Sequence, residues 1–434
     1  MKAISTNIIY ENPLPQLRAV NSAFPFLCEL ADGTLLASHQ MGQAFESVDG
    51  TSFLSESTDG GVTWSKPRQM FDKSAETVLL NDNCKITRLP DGSLVALGYR
   101  FFREDPELPL GNPDTGGLLS DEIFFSRSFD GGKTWTACQA VPCAWGNHVE
   151  ASAPITVLRD GSWATPITGF AKWDGTAAGR NCGRLLRSYD HGKTWNDDAV
   201  CMAFPGDSVT CFEQRLTELA DGTLVVIGWN EDMKTGQRLP NHITFSHDGG
   251  KTFSSPVSTG IGGQASFVMA LEGTKVLTLH AIRRDTDRPG IYAYIADVAG
   301  DQWQLLEQEC VWEPNTPVLK NARVAEIFAF LKFGQPGAIL LSDGDALMTH
   351  WFAKDGQYRT RARGLPDHDL LPAYAPTSHF AARNGERSVA RRQSLYRDTA
   401  PPEHPAGGWR SLLSNTRARH LLQRKSALIP RSNN

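Results

Sequence analysis

Four carboxylates, Glu46, Asp49, Glu150 and Glu213, stand at or between the ends of short apolar runs. Arg100, Arg215, Arg283 and Arg284, with Asp82, His242 and His280, occupy comparable places. Two carboxylates can share general acid and general base duties at a glycosidic bond, and a guanidinium pairs with an anionic substituent on a sugar. A histidine near such a guanidinium can instead abstract the proton beside a carboxylate and begin an elimination. Any one of these residues alone is an ordinary loop residue. Their meaning depends on whether the fold brings them together.

The elements that position them are written as repeats. Ser57 to Trp64 (STDGGVTW) returns as Ser128 to Trp135 (SFDGGKTW), Ser188 to Trp195 (SYDHGKTW) and Ser246 to Phe253 (SHDGGKTF). In each, the aspartate can accept backbone N–H bonds, the glycine supplies a positive φ, and the aromatic ring folds back onto the next strand. Between them come Asp-Gly turns at Asp32-Gly33, Asp91-Gly92, Asp160-Gly161 and Asp221-Gly222, each between two β-rich runs. The two turn types alternate, so one unit reads strand, Asp-Gly turn, strand, long loop, strand, Ser-x-Asp turn, strand. Units are expected to begin near Phe24, Asn83, Ser152, Phe212, Gln264 and Val324. The pattern predicts an all-β fold, a six-bladed β-propeller of four-stranded antiparallel blades over residues 1–360.

In such a meander both repeated turns lie on one face. The irregular loops share the other face and converge on the propeller axis, where a ligand is expected. The carboxylates, arginines and histidines named above fall there. The expected catalytic set is Glu46, Asp49, Glu150, Glu213 and His280; the expected substrate-binding set is Asp82, Arg100, Arg215, His242, Arg283 and Arg284. Glu46 and Asp49, on a longer loop, suit a general acid, and Glu213 suits a base or charge-stabilising role.

Composition narrows the partners. Lys and Arg number 43 against 48 Asp and Glu, a net charge of −5, which argues against nucleic acid or an anionic membrane. No apolar run is long enough to span a bilayer, and the opening MKAISTNIIYENP lacks the core of a signal peptide, so a cytoplasmic location is expected. The eight cysteines show no metal spacing; neither a metal nor another cofactor is expected. Residues 361–434 hold thirteen Lys and Arg against five Asp and Glu without sustained periodicity, and are expected to form a basic, disordered tail. Oligomeric state stays open.

The repeated Ser-x-Asp-x-Gly-x-Thr-aromatic turns in six units resemble the aspartate boxes of the sialidase (neuraminidase) superfamily. The resemblance covers residues 1–360 and implies a sugar-binding cup. It also implies an arginine where this chain has Ala23, in Ala23-Phe24-Pro25, and a second near Trp229-Asn230, where none stands. Arg283 or Arg284 answers to the third, Glu46 or Asp49 to the acid/base aspartate, and Glu213 to the glutamate that polarises the nucleophile. The tyrosine nucleophile would fall in Ile327-Phe328-Ala329-Phe330, which carries no hydroxyl. The family fold is therefore expected without the sialidase reaction. Three readings stay open: a glycoside hydrolase acting on another acidic or modified sugar or oligosaccharide, a uronate lyase using His280, His242 or His148 with an arginine, and a non-catalytic sugar-binding propeller.

Overall fold

Runs rich in Val, Ile, Leu and Phe, stopped by Asp-Gly and Ser-x-Asp turns, cannot bury both faces as single sheets and do so by stacking around an axis. The structure, a computed structural model, describes residues 5–314, 333–354 and 357–365. The chain opens with β1 (Asn7–Tyr10) and then lays down blade 1 as β2 (Asn21–Glu29), β3 (Leu35–Gly42), β4 (Thr51–Ser57) and β5 (Arg68–Gln69). Blade 2 is β6 (Leu80–Arg88), β7 (Leu94–Phe102), β8 (Asp121–Ser128) and β9 (Gln139–Val141). In blade 3 the inner edge is divided between β10 (Val149–Glu150) and β11 (Thr156–Val157), both pairing with β12 (Trp163–Gly169), followed by β13 (Gly183–Ser188) and β14 (Val200–Met202). Blade 4 comprises β15 (Phe212–Glu218), β16 (Leu224–Glu231), β17 (Arg238–Ser246) and β18 (Val257–Ser258). Blade 5 comprises β19 (Ser266–Ala270), β20 (Lys275–Ile282), β21 (Gly290–Asp297) and β22 (Gln304–Trp312). The last blade has β23 (Phe333–Leu340), β24 (Ala346–Lys354) and β25 (Gln357–Leu365). All the pairings are antiparallel, as the repeats predict.

The sixth blade departs from expectation. Its inner strand begins at Phe333, and Val324 lies outside the described residues. Where one strand was expected from Leu347 to Thr360 there are two, and the second runs on through Thr360 to Leu365. The fourth strand comes from the other end of the chain: β1 pairs with β25, Asn7 opposite Ala362, so the ring is closed by the N-terminus. With β1 on the outer side of β25, the last blade has four strands and is held by both ends of the chain. Residues 366–434, most of the expected basic tail, lie outside the described residues.

The core is a set of apolar layers between adjacent blades. Leu36, Leu54, Ile86 and Phe124 pack blade 1 on blade 2, while Leu185, Cys211, Leu224 and Val226 pack blade 3 on blade 4. Each fully buried Leu, Ile or Phe contributes about 1.5–3 kcal/mol relative to exposure. The turn face is stereotyped: Gly61, Gly132, Gly192 and Gly250 each donate N–H to the serine that opens their turn, at 2.9, 2.8, 2.8 and 2.8 Å. No helix among the described residues is long and apolar enough to cross a membrane.

Candidate functional site

Where an inner strand begins on the loop face, four non-glycine residues take a left-handed backbone: Phe24 (φ 55°), Glu213 (45°), Ala265 (65°) and Gln335 (41°). At three of them the ladder slips, between Ala23 and Phe26, Phe212 and Arg215, and Gly334 and Gly337. A bulge re-aims a side chain out of the blade, and a positive φ in a residue with a Cβ costs about 1–3 kcal/mol. Phe24, Glu213 and Gln335 all line a cavity of about 320 Å³ at the loop face, along with Glu46, Glu150 and Arg283.

Glu213 is at its centre. Its Oε2 accepts the Trp229 indole N–H at 2.9 Å, and its Oε1 accepts the Gln335 side-chain amide at 2.9 Å. Its backbone N–H donates to Glu150 Oε2 at 2.8 Å, and Ser152 N–H donates to Glu150 Oε1 at 2.9 Å. Burial and the neighbouring Glu213 push the Glu150 carboxyl up, opposed by Arg215 and by these N–H donors.

Lys85, on β6, sets the orientation of Gln335. Its buried ammonium donates to Gln335 Oε1 at 3.1 Å and to the Phe24 carbonyl at 2.7 Å. An ammonium can only donate, so it fixes the amide oxygen on its own side and turns the NH2 toward Glu213. Burial, and secondarily Arg215, push this ammonium down to about 7, against Glu213 and Glu150.

Glu46 reaches the cavity from the β3–β4 loop. Leu110 N–H donates to its Oε2 at 3.4 Å, and Arg103 holds its backbone carbonyl at 2.8 Å. Burial pushes its carboxyl up; Leu110 and Arg103 moderate the rise. Arg283 donates to the Phe333 and Gln264 carbonyls at 3.1 and 3.0 Å, and burial brings its guanidinium down to about 10.

The other expected site residues are elsewhere. Asp49 is exposed and caps its own loop, accepting from Gln43 N–H at 3.1 Å. Asp82 is a buried clamp between blades 1 and 2, accepting from Ser52 N–H and the Thr51 hydroxyl and paired with Lys73. Arg100 is held by Glu122 at 2.6 Å and Glu76 at 3.1 Å. Arg284 lies toward Glu231, 3.8 Å away, and not in the cavity, so of the two candidates for the third arginine Arg283 is the one at the site. Arg215 is buried behind the carboxylates, bonded to Ser152 Oγ at 3.0 Å. His280 is fully buried between Asn241 Oδ1 (2.6 Å) and Thr278 Oγ1 (3.0 Å), and His242 sits on Asn230 Oδ1 (3.0 Å) against Phe204. Neither histidine, nor His148, lines the cavity. His280 and His242 sit on second and third strands, where small polar partners hold them; His148 precedes β10 with its Nδ1 buried and without a hydrogen-bond partner.

Of the positions the resemblance pointed to, Ala23 packs on Trp351, and at Trp229-Asn230 the indole donates to Glu213 and the Asn230 amide to the Thr210 carbonyl. Ile327 to Phe330 lie outside the described residues; the sixth-blade side chain that meets Glu213 is Gln335, from β23. Sequence reading missed Lys85, Gln335 and the aromatic lining. A lysine inside the apolar inner strand and a proline at Pro336 inside a strand-like run were the available signals, since proline within a sheet marks a bulge or an edge. Among the described residues no three His, Cys, Asp or Glu side chains converge as a metal site requires.

No family model and no curated protein matches the chain. Solved structures do. A protein of unknown function from Dyadobacter fermentans superposes with TM-score 0.65 at 18% identity, over 84% of this chain and 98% of that one. The α-L-arabinanase of Penicillium chrysogenum complexed with arabinobiose gives 0.58 at 15% identity, over 86% and 100%. The NanB sialidase of Streptococcus pneumoniae gives 0.57 at 13%, over 85% and 71%. At these identities the likeness is one of fold, and the fold is the sialidase-like six-bladed propeller.

Proposed function

We propose that the chain is a glycoside hydrolase acting on an acidic or otherwise modified sugar in the axial cavity. The observation that carries this is the unlike settings of carboxylates around one space. Both Glu213 oxygens accept N–H bonds, from Trp229 and Gln335, whereas Glu46 sits where burial favours its protonated form. Carboxyls in such unlike settings suit a base or charge-stabilising role for Glu213 and a general acid role for Glu46. Glu150 braces Glu213 through its backbone. An acidic substituent would meet Arg283.

Against the lyase reading, His280, His242 and His148 are all outside the cavity lining. A binding-only cup would be favoured if its carboxylates were tied to arginines. Instead Glu213 is held by an indole and an amide, and Glu150 and Glu46 by backbone N–H groups. The test is a panel of aryl glycosides and uronate-containing oligosaccharides, read by released chromophore and by absorbance of an unsaturated product. Release that falls as pH rises through the Glu46 value, and that is lost in Glu213→Gln, is expected. An unsaturated product, or no turnover across the panel, would overturn the proposal.

A further inference from the structure

The cavity wall differs chemically from its floor. Tyr99, Phe101, Phe170, Phe212 and Trp229 form a continuous arc across blades 2, 3 and 4, with successive ring centroids 5.5, 6.3, 6.2 and 5.1 Å apart. Leu118 and Ala171 extend it; Leu118 N–H donates to the Ala171 carbonyl at 3.0 Å, fastening the β7–β8 loop to the β12–β13 loop. The arc reaches the carboxylates, because its last ring, Trp229, is the one bonded to Glu213. A group attached to an atom held at Glu213 therefore has this arc along one side.

A sugar unit in that space would bury hydroxyls against the arc, where the Tyr99 hydroxyl is the one side-chain oxygen and the Trp229 N–H is already engaged. Gln264 Oε1 and Arg283 Nε, away from the arc, are buried without a hydrogen-bond partner; other polar groups of the lining are engaged. Gln40 donates to Asn81 Oδ1 and the Asp82 carbonyl, both at 2.9 Å, and Gln335 is held between Lys85 and Glu213. Burying a hydroxyl without a partner is unfavourable, whereas a flat apolar ring gains both area and ring–ring contact.

We infer that the arc is a subsite for an aromatic aglycone: the ligand is an aryl or benzyl glycoside whose sugar lies at Glu213 and whose ring lies between Trp229 and Phe101. The sugar half rests on the hydrolase reading; the aromatic half does not. The 434-residue chain is titrated calorimetrically with 4-nitrophenol. For any sugar cleaved in the panel, KM is then compared between its benzyl and methyl glycosides, whose leaving groups are of similar quality. Expected are saturable phenol binding, weakened about tenfold or more by Phe170→Ala, and a KM at least about tenfold lower for the benzyl glycoside. Should Phe170→Ala not fold, Leu118→Asn on the loop wall replaces it. Equal KM values, no phenol binding, or phenol binding indifferent to both wall variants overturns the subsite, while hydrolysis of methyl glycosides would leave the hydrolase reading standing. Phenol binding that Phe170→Ala weakens, with no glycoside cleaved, keeps the subsite and overturns the hydrolase reading.

Discussion

The two faces of this propeller repeat in opposite ways. On the turn face the same side chains recur with the same bonds: Asp59, Asp130, Asp190 and Asp248 each accept the N–H of the threonine four residues on, at 2.9, 2.9, 2.8 and 3.0 Å, and each accepts that threonine's hydroxyl as well. On the loop face the backbone recurs and the side chains do not. Phe24, Glu213, Ala265 and Gln335 share a left-handed backbone at the entry to an inner strand but supply a ring, a carboxylate, a methyl group and an amide. A turn that closes on itself constrains its own residues, whereas a strained position aimed at a cavity constrains only its backbone. The second kind is where function can vary.

The contrast breaks most sharply at Glu213. Glu213→Gln should lower turnover on an identified glycoside by roughly 10²- to 10⁴-fold with little change in thermal midpoint. Near-normal turnover would place the chemistry elsewhere. A second large effect separates cup from core. His39, His280 and His350 are buried, and burial pushes each imidazole from 6.5 down to about 3. The unfolded chain therefore takes up these protons first, so their contribution is full above about 6.5 and is lost as pH falls toward 3. Urea midpoints measured between pH 7.5 and 4.5 should decline, and His280→Gln should flatten part of that decline; a slope unchanged in the variant would return His280 to the solvent-facing cup.

On the turn face, Gly192 has φ +90°, and a Cβ there would meet Phe125 at 2.9 Å and Trp163 at 3.1 Å. Gly192→Ala should cost roughly 1–3 kcal/mol by urea unfolding and leave the KM of the folded enzyme unchanged. A changed KM would show that the faces are coupled. The smallest effect is expected at Ala265, the strained position whose side chain does not line the cavity. Ala265→Gly should stabilise by up to about 1 kcal/mol, since relief of the positive φ exceeds the added freedom of the unfolded chain. A loss of stability would mean that the methyl group packs better than its conformation suggests.

By itself the sequence determined the blade number, the antiparallel meander, the face on which each turn lies and the family likeness, because Ser-x-Asp and Asp-Gly turns are closed by bonds over two to four residues. It also put Glu46, Glu150, Glu213 and Arg283 on the loop face, and these four line the cavity. It could not decide between Glu46 and Asp49, or between Arg283 and Arg284, because loop neighbours differ only in where a short irregular segment turns. Nor could it show that β1 closes the ring, since four residues carry little periodicity. The tertiary structure decided the rest. Lys85 meets Gln335 across 250 residues and Gln335 meets Glu213 across 122, through bulges whose direction depends on the packing of whole blades. The aromatic arc likewise joins rings from three blades, each unremarkable in its own strand and adjacent only once the strands are wound about one axis.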